Sequence, residues 1–77
     1  MNKKTQKKLA SARQIATLTD VSYAAINNYT DMGLLEVVSR KSRTRMYDLQ
    51  KARERLELIS RLVSEGYTLR VIGKLLR

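Results

Sequence analysis

Thr19-Asp20-Val21 and Gly33 interrupt the first half of this chain, so the helices there are short. Ser22 is suited to cap a helix and Gly33 to end one, and between them Ala25, Ile26, Tyr29 and Met32 recur at helical spacing. The spacing predicts a short helix, apolar on one side. Its other side carries Ser22, Tyr23, Ala24, Asn27, Asn28, Thr30 and Asp31, and no lysine or arginine falls between Asp20 and Leu35. Another short helix precedes it: Ser11 and Gln14 form a Ser-x-x-Gln capping box, Leu9 is placed to staple onto the first turn, and Ile15, Ala16 and Leu18 supply an apolar side. Thr19-Asp20-Val21 separates the two. Two short helices joined by about three residues make a helix-turn-helix pattern, in which the second helix is the one presented to the major groove of DNA.

After Leu34-Leu35 the period changes. Glu36-Val37-Val38-Ser39 and Thr44-Arg45-Met46-Tyr47 are β-favourable runs on either side of Arg40-Lys41-Ser42-Arg43, and they predict a small hairpin, or wing. The connection has no glycine, so a loose tip is expected. Asp48 then caps a third helix with Leu49, Ala52, Leu56, Ile59 and Val63 as its stripe, widened by Leu58 and Leu62, until Gly66 stops it. Arg53, Glu57, Arg61 and Glu65 stand on its other face as an i, i+4 ladder. Thr68 caps a last helix with Leu69, Ile72, Leu75 and Leu76. The expected fold is all-α with a small β-hairpin wing, a winged helix-turn-helix in the order helix, helix, hairpin, helix, helix. Residues 1–10 are expected to be a flexible basic arm and 11–77 the folded domain.

Composition narrows the function. The chain has 77 residues and neither cysteine nor histidine, which leaves no thiolate nucleophile, no imidazole base and almost no means of holding zinc. No nucleophile–base pair or phosphate-cradling glycine loop can be assembled from the rest, so neither an enzyme nor a cofactor is expected. No apolar run approaches the ~20 residues that span a bilayer, and no apolar segment follows the basic amino terminus, so a cytoplasmic protein without a membrane partner is expected. The formal net charge is +9, a field that draws polyanions. Four lysines lie in residues 1–8, while Arg40, Lys41, Arg43 and Arg45 fall in the wing.

Double-stranded DNA is therefore the expected partner. Ser22, Tyr23, Ala24, Asn27 and Asn28 are the candidate readers. An asparagine amide matches adenine N6 and N7, a hydroxyl serves base or phosphate, and alanine permits close approach. Arg40, Lys41, Arg43 and Arg45 are the candidate phosphate clamp, supplying the charge that the reading helix lacks. Arg13 of the first helix and Tyr47 complete the set in a lesser role. Tyr29, Tyr47 and Tyr67 lie in or beside apolar patterns and read as core residues.

From Ser11 to Leu76 the chain resembles the DNA-binding domain of the mercury-resistance-regulator (MerR) family. That family carries Val-Ser-x-x-Thr-Ile-Arg-Tyr-Tyr-Glu-x-x-Gly-Leu-Leu, then a wing ending Tyr-Arg-x-Tyr, then two helices joined at Gly-aromatic-Ser/Thr-Leu. Val21-Ser22, Ile26, Tyr29 and Gly33-Leu34-Leu35 keep the first motif, Arg45-x-Tyr47 the second, and Gly66-Tyr67-Thr68-Leu69 the third. Ala25, Asn27, Asn28 and Thr30 stand where the family usually has Thr, Arg, Tyr and Glu, so a family arginine that helps hold DNA is missing. Arg43-Thr44 replaces the wing's usual Gly-Tyr. The resemblance implies that Arg45 contacts phosphate, that Tyr47 anchors the wing, and that such domains regulate transcription as dimers that distort promoter DNA. It also implies a long dimerising helix and an effector region. Neither is in this sequence, so a homodimer would form through an element missing from the chain or at its end, and the chain is either an excised DNA-binding domain or a free-standing small protein. Two other readings stay open: an excisionase-like or plasmid-partition accessory factor that shapes DNA, and a helical module that docks a protein partner.

Overall fold

The helices begin and end on bonds made by the residues singled out above. The computed structural model describes residues 8–76. Along it run β1 (Leu9–Ser11), α1 (Ala12–Leu18), α2 (Tyr23–Asp31), β2 (Ser39–Lys41), β3 (Thr44–Asp48), α3 (Leu49–Ser64) and α4 (Leu69–Leu76). The Ser11 hydroxyl accepts from the Gln14 N–H at 3.2 Å, and Gln14 Oε1 accepts from the Ser11 N–H at 2.9 Å. This is the reciprocal capping box. Ser22 caps α2 through the Ala25 N–H at 3.1 Å, Asp48 caps α3 through Lys51 at 3.0 Å, and Thr68 caps α4 through Val71 at 3.3 Å. At the other end of α2, Gly33 takes φ +82°, Leu34 donates to the Tyr29 carbonyl at 2.8 Å, and Gly33 donates to that of Thr30 at 3.0 Å. Gly66, at φ +101°, ends α3 with the same pair of bonds. Both are Schellman motifs, which satisfy carbonyls that would otherwise be orphaned.

The strands form one antiparallel sheet in the order β1-β3-β2. Leu9 and Ala10, expected in the arm, belong to this sheet. Ala10 faces Tyr47 across the β1/β3 ladder and is buried with it, and the Leu49 N–H donates to the Lys8 carbonyl at 2.9 Å. Leu9 lies exposed on β1, opposite Asp48, where it was expected to cover the start of α1. Residues 1–7 of the expected arm lie outside the described residues. Pairing with β3 also moves the hairpin toward its tip. β2 spans Ser39–Lys41 and not Glu36–Ser39, because the turn closes on Ser42 and Arg43 alone, with Lys41 facing Thr44. Ser42 takes φ +58°, the positive value that the first central position of a tight hairpin turn requires. Val37 packs against the core instead of joining the ladder.

Two apolar clusters lie along α3. Ala10, Ala12, Ile15, Ile26, Leu35, Tyr47, Ala52 and Leu56 form the first, and Leu34, Ile59 and Ile72 the second. The adjacent residues Leu34 and Leu35, set by the turn at Gly33, enter one cluster each. Four expected core positions face outward: Leu18 at the end of α1 is 52% exposed, Tyr67 43% and Leu75 56%, and Val63 is 47% exposed because Leu62 packs on the second cluster in its place. Along α3, Arg53, Glu57, Arg61 and Glu65 make no ion pair among the described residues.

Candidate nucleic-acid interface

On α2, positions 24, 27, 28 and 31 are separated by three, one and three residues and share one face. Ala24, Asn28 and Asp31 are exposed there and Asn27 is half-buried. Tyr23, in the first turn, is 42% exposed. The opposite face holds α2 to the molecule: Ile26 is fully buried and Tyr29 packs against both clusters. The outward stripe is thus small, uncharged and amide-bearing over three positions and acidic at the fourth.

Arginines from the neighbouring elements lie along this helix. From α1, the Arg13 guanidinium sits 4.3 Å from the centre of the Tyr23 ring, a cation–π contact at the start of α2. From β3, Arg45 Nη2 donates to Asp31 Oδ1 at 3.0 Å at its end, the only ion pair among the described residues. The Asp31 carboxylate first, and the Tyr47 hydroxyl second, raise Arg45 above its already high ordinary value, so it is a permanent cation. β1 ends at Ser11, opposite Met46, and β3 continues past it toward the tip. There a cleft of about 380 Å³ opens between α1, α2 and the wing, lined among others by Arg13, Tyr23, Asn27, Arg43 and Arg45. Its charged lining residues are all arginines. A larger groove of about 680 Å³, between α3 and the segment after α2, has acids and bases mixed: Glu36 and Glu54 beside Lys51 and Arg55.

Each expected site residue has a place in this arrangement. The Ser22 oxygen is engaged as the α2 cap. Tyr23, Ala24, Asn27 and Asn28 lie on or beside the exposed stripe. Arg40, Lys41 and Arg43 are exposed on the wing, but the ladder divides them. Arg40 is directly opposite Arg45, so the two share the sheet face of Tyr47, while Lys41 points from the other face. Arg45, expected on phosphate, bonds Asp31 through Nη2 within the protein. Tyr47 is 1% exposed and works from inside, its hydroxyl 2.8 Å from Thr30 Oγ1. Thr30 also donates to the Ile26 carbonyl at 2.8 Å, which uses its one hydrogen, so Tyr47 is the donor between them. Sequence reasoning left Thr30 and Asp31 as plain surface residues. Their partners lie 17 and 14 positions away, and no local pattern marks either pairing.

The described residues hold no His/Cys/Asp/Glu group able to bind a metal, and no helix among them is long and apolar enough to cross a membrane. Compared with known proteins, residues 10–77 match the family model described as MerR HTH family regulatory protein. No curated protein and no solved structure matches the chain significantly. The match takes in β1 from Ala10 onward, both helices of the helix-turn-helix, the wing and the two helices beyond, and it is the family of DNA-binding regulators to which the chain belongs.

Proposed function

We propose that this domain binds double-stranded DNA sequence-specifically, with α2 in the major groove and the wing along the adjacent backbone. Tyr23, Ala24, Asn27 and Asn28 face the bases, and Arg13, Arg40, Lys41 and Arg43 contact phosphates. One observation carries this reading: a stripe on α2 that is uncharged and amide-bearing at Ala24, Asn27 and Asn28 lies beside a cleft whose charged groups are all arginines. The stripe offers the paired donor and acceptor that adenine presents in the major groove, and the cleft offers charge that depends on no base sequence. Regulation of transcription follows from occupying a promoter, and the domain acts where the cell's DNA lies, in the cytoplasm.

A fluorescence anisotropy titration against duplex DNA, repeated from 50 mM salt upward, tests the proposal. Binding should weaken steeply as salt rises, by about 0.9 in the log–log slope for each phosphate contacted. Absence of binding at 50 mM salt, or binding without a salt slope, overturns the reading.

A further inference from the structure

Asp31 presents a difficulty for any DNA-reading surface. It is on the same face of α2 as Ala24, Asn27 and Asn28, its side chain is 65% exposed, and a carboxylate there would repel phosphate. Arg45 has the mirror-image problem. It lies directly opposite Arg40 in the β2/β3 ladder, and like charges so placed push the strands apart. The 3.0 Å contact between Asp31 and Arg45 answers both, because the carboxylate neutralises one arginine of a repelling pair and is itself neutralised. The contact also has a direction. Thr30 and Asp31 are consecutive at the end of α2, while Arg45 and Tyr47 are alternate residues on one face of β3. Two adjacent bonds, Tyr47 to Thr30 and Arg45 to Asp31, therefore tie the wing strand to the reading helix. Beyond the backbone ladder to β3, no buried side chain of β2 fixes the outer wing, since every residue of β2 is exposed.

Resting on the DNA-binding reading above, we infer that Asp31 is a positioning residue: through Arg45 it sets the angle of the wing to α2, and it favours DNA binding despite its charge. The side chains and strand that must be ordered on DNA are then partly ordered beforehand.

Three variants test this by anisotropy. Asp31→Asn removes one negative charge yet should weaken binding about three- to tenfold, with the salt slope unchanged. The double variant Asp31→Asn/Arg45→Gln keeps the wild-type net charge and should lose as much. Asp31→Glu preserves the pair and should stay near wild type. In the free Asp31→Asn variant, amide hydrogens of residues 39–45 should exchange faster while those of α3 do not change, a readout that needs no DNA. Tighter or unaltered binding by Asp31→Asn, or wild-type affinity in the double variant, overturns the inference, as does unaltered wing exchange. Failure of the wild-type protein to bind DNA at 50 mM salt would instead sink the proposed function, leaving the exchange experiment to judge the latch.

Discussion

Tyr47 shows how much a single side chain can settle in a domain this small. Its ring fills the first cluster, where only Ala10 stands opposite it, and its hydroxyl donates to Thr30, so one residue joins sheet, core and α2. Tyr47→Phe keeps the ring and leaves a half-buried Thr30 oxygen short of a donor. Urea denaturation should show a loss of about 1 kcal/mol with an unchanged slope. The sequence places this tyrosine in an apolar pattern but says nothing of its partner, because a hydroxyl's partner is chosen by the whole fold. Arg43 belongs to the surface. It is exposed on the turn and lines the basic cleft. Arg43→Ala should therefore weaken binding to all duplexes alike, and make the salt slope shallower by about 0.9. A loss confined to one sequence would mean that Arg43 reads a base.

At the scale of elements, what was legible divides by distance along the chain. Ser11, Ser22, Asp48 and Thr68 start helices, and Gly33 and Gly66 stop them, through bonds that reach no more than five residues. Such signals are complete in the local sequence. β1 is not legible in this way, because Leu9-Ala10-Ser11 has no strand preference of its own and is a strand only by pairing with β3, some 37 residues on. The hairpin was found but misplaced by three residues at its start, since the register is fixed by the turn at Ser42 and by Val37 entering the core, neither visible in a run of β-branched residues. Gly66 offers a clean test of the local signals. A Cβ built there meets nothing within 4 Å, so Gly66→Ala introduces backbone strain at φ +101° and no clash. The expected cost is about 1 kcal/mol in thermal or urea unfolding, with α3 and α4 still formed by circular dichroism.

For the molecule as a whole, α3 is the beam that connects two clusters, with Ala52 and Leu56 in the first and Ile59 in the second. α4 joins through the second, with Ile72 fully buried, and Arg55 Nη1 donates to the Leu76 carbonyl at 3.3 Å. A domain of this size has a margin of only about 4–11 kcal/mol. Ile72→Ala should remove about 2–4 kcal/mol of it by leaving a cavity, read as a lower urea midpoint. The amphipathic stripe of α3 made this architecture readable in outline, while the arrangement around α2 was not, because Arg13 and Arg45 come to it from separate elements. On the proposed reading, that arrangement separates the alphabet of the protein from its adhesive. New letters can be written at Ala24, Asn27 and Asn28 without changing the charge of the domain. The reverse exchange is less forgiving: α2 transplanted alone into another scaffold would leave both arginines behind, and Asp31 would arrive as a bare anion facing DNA.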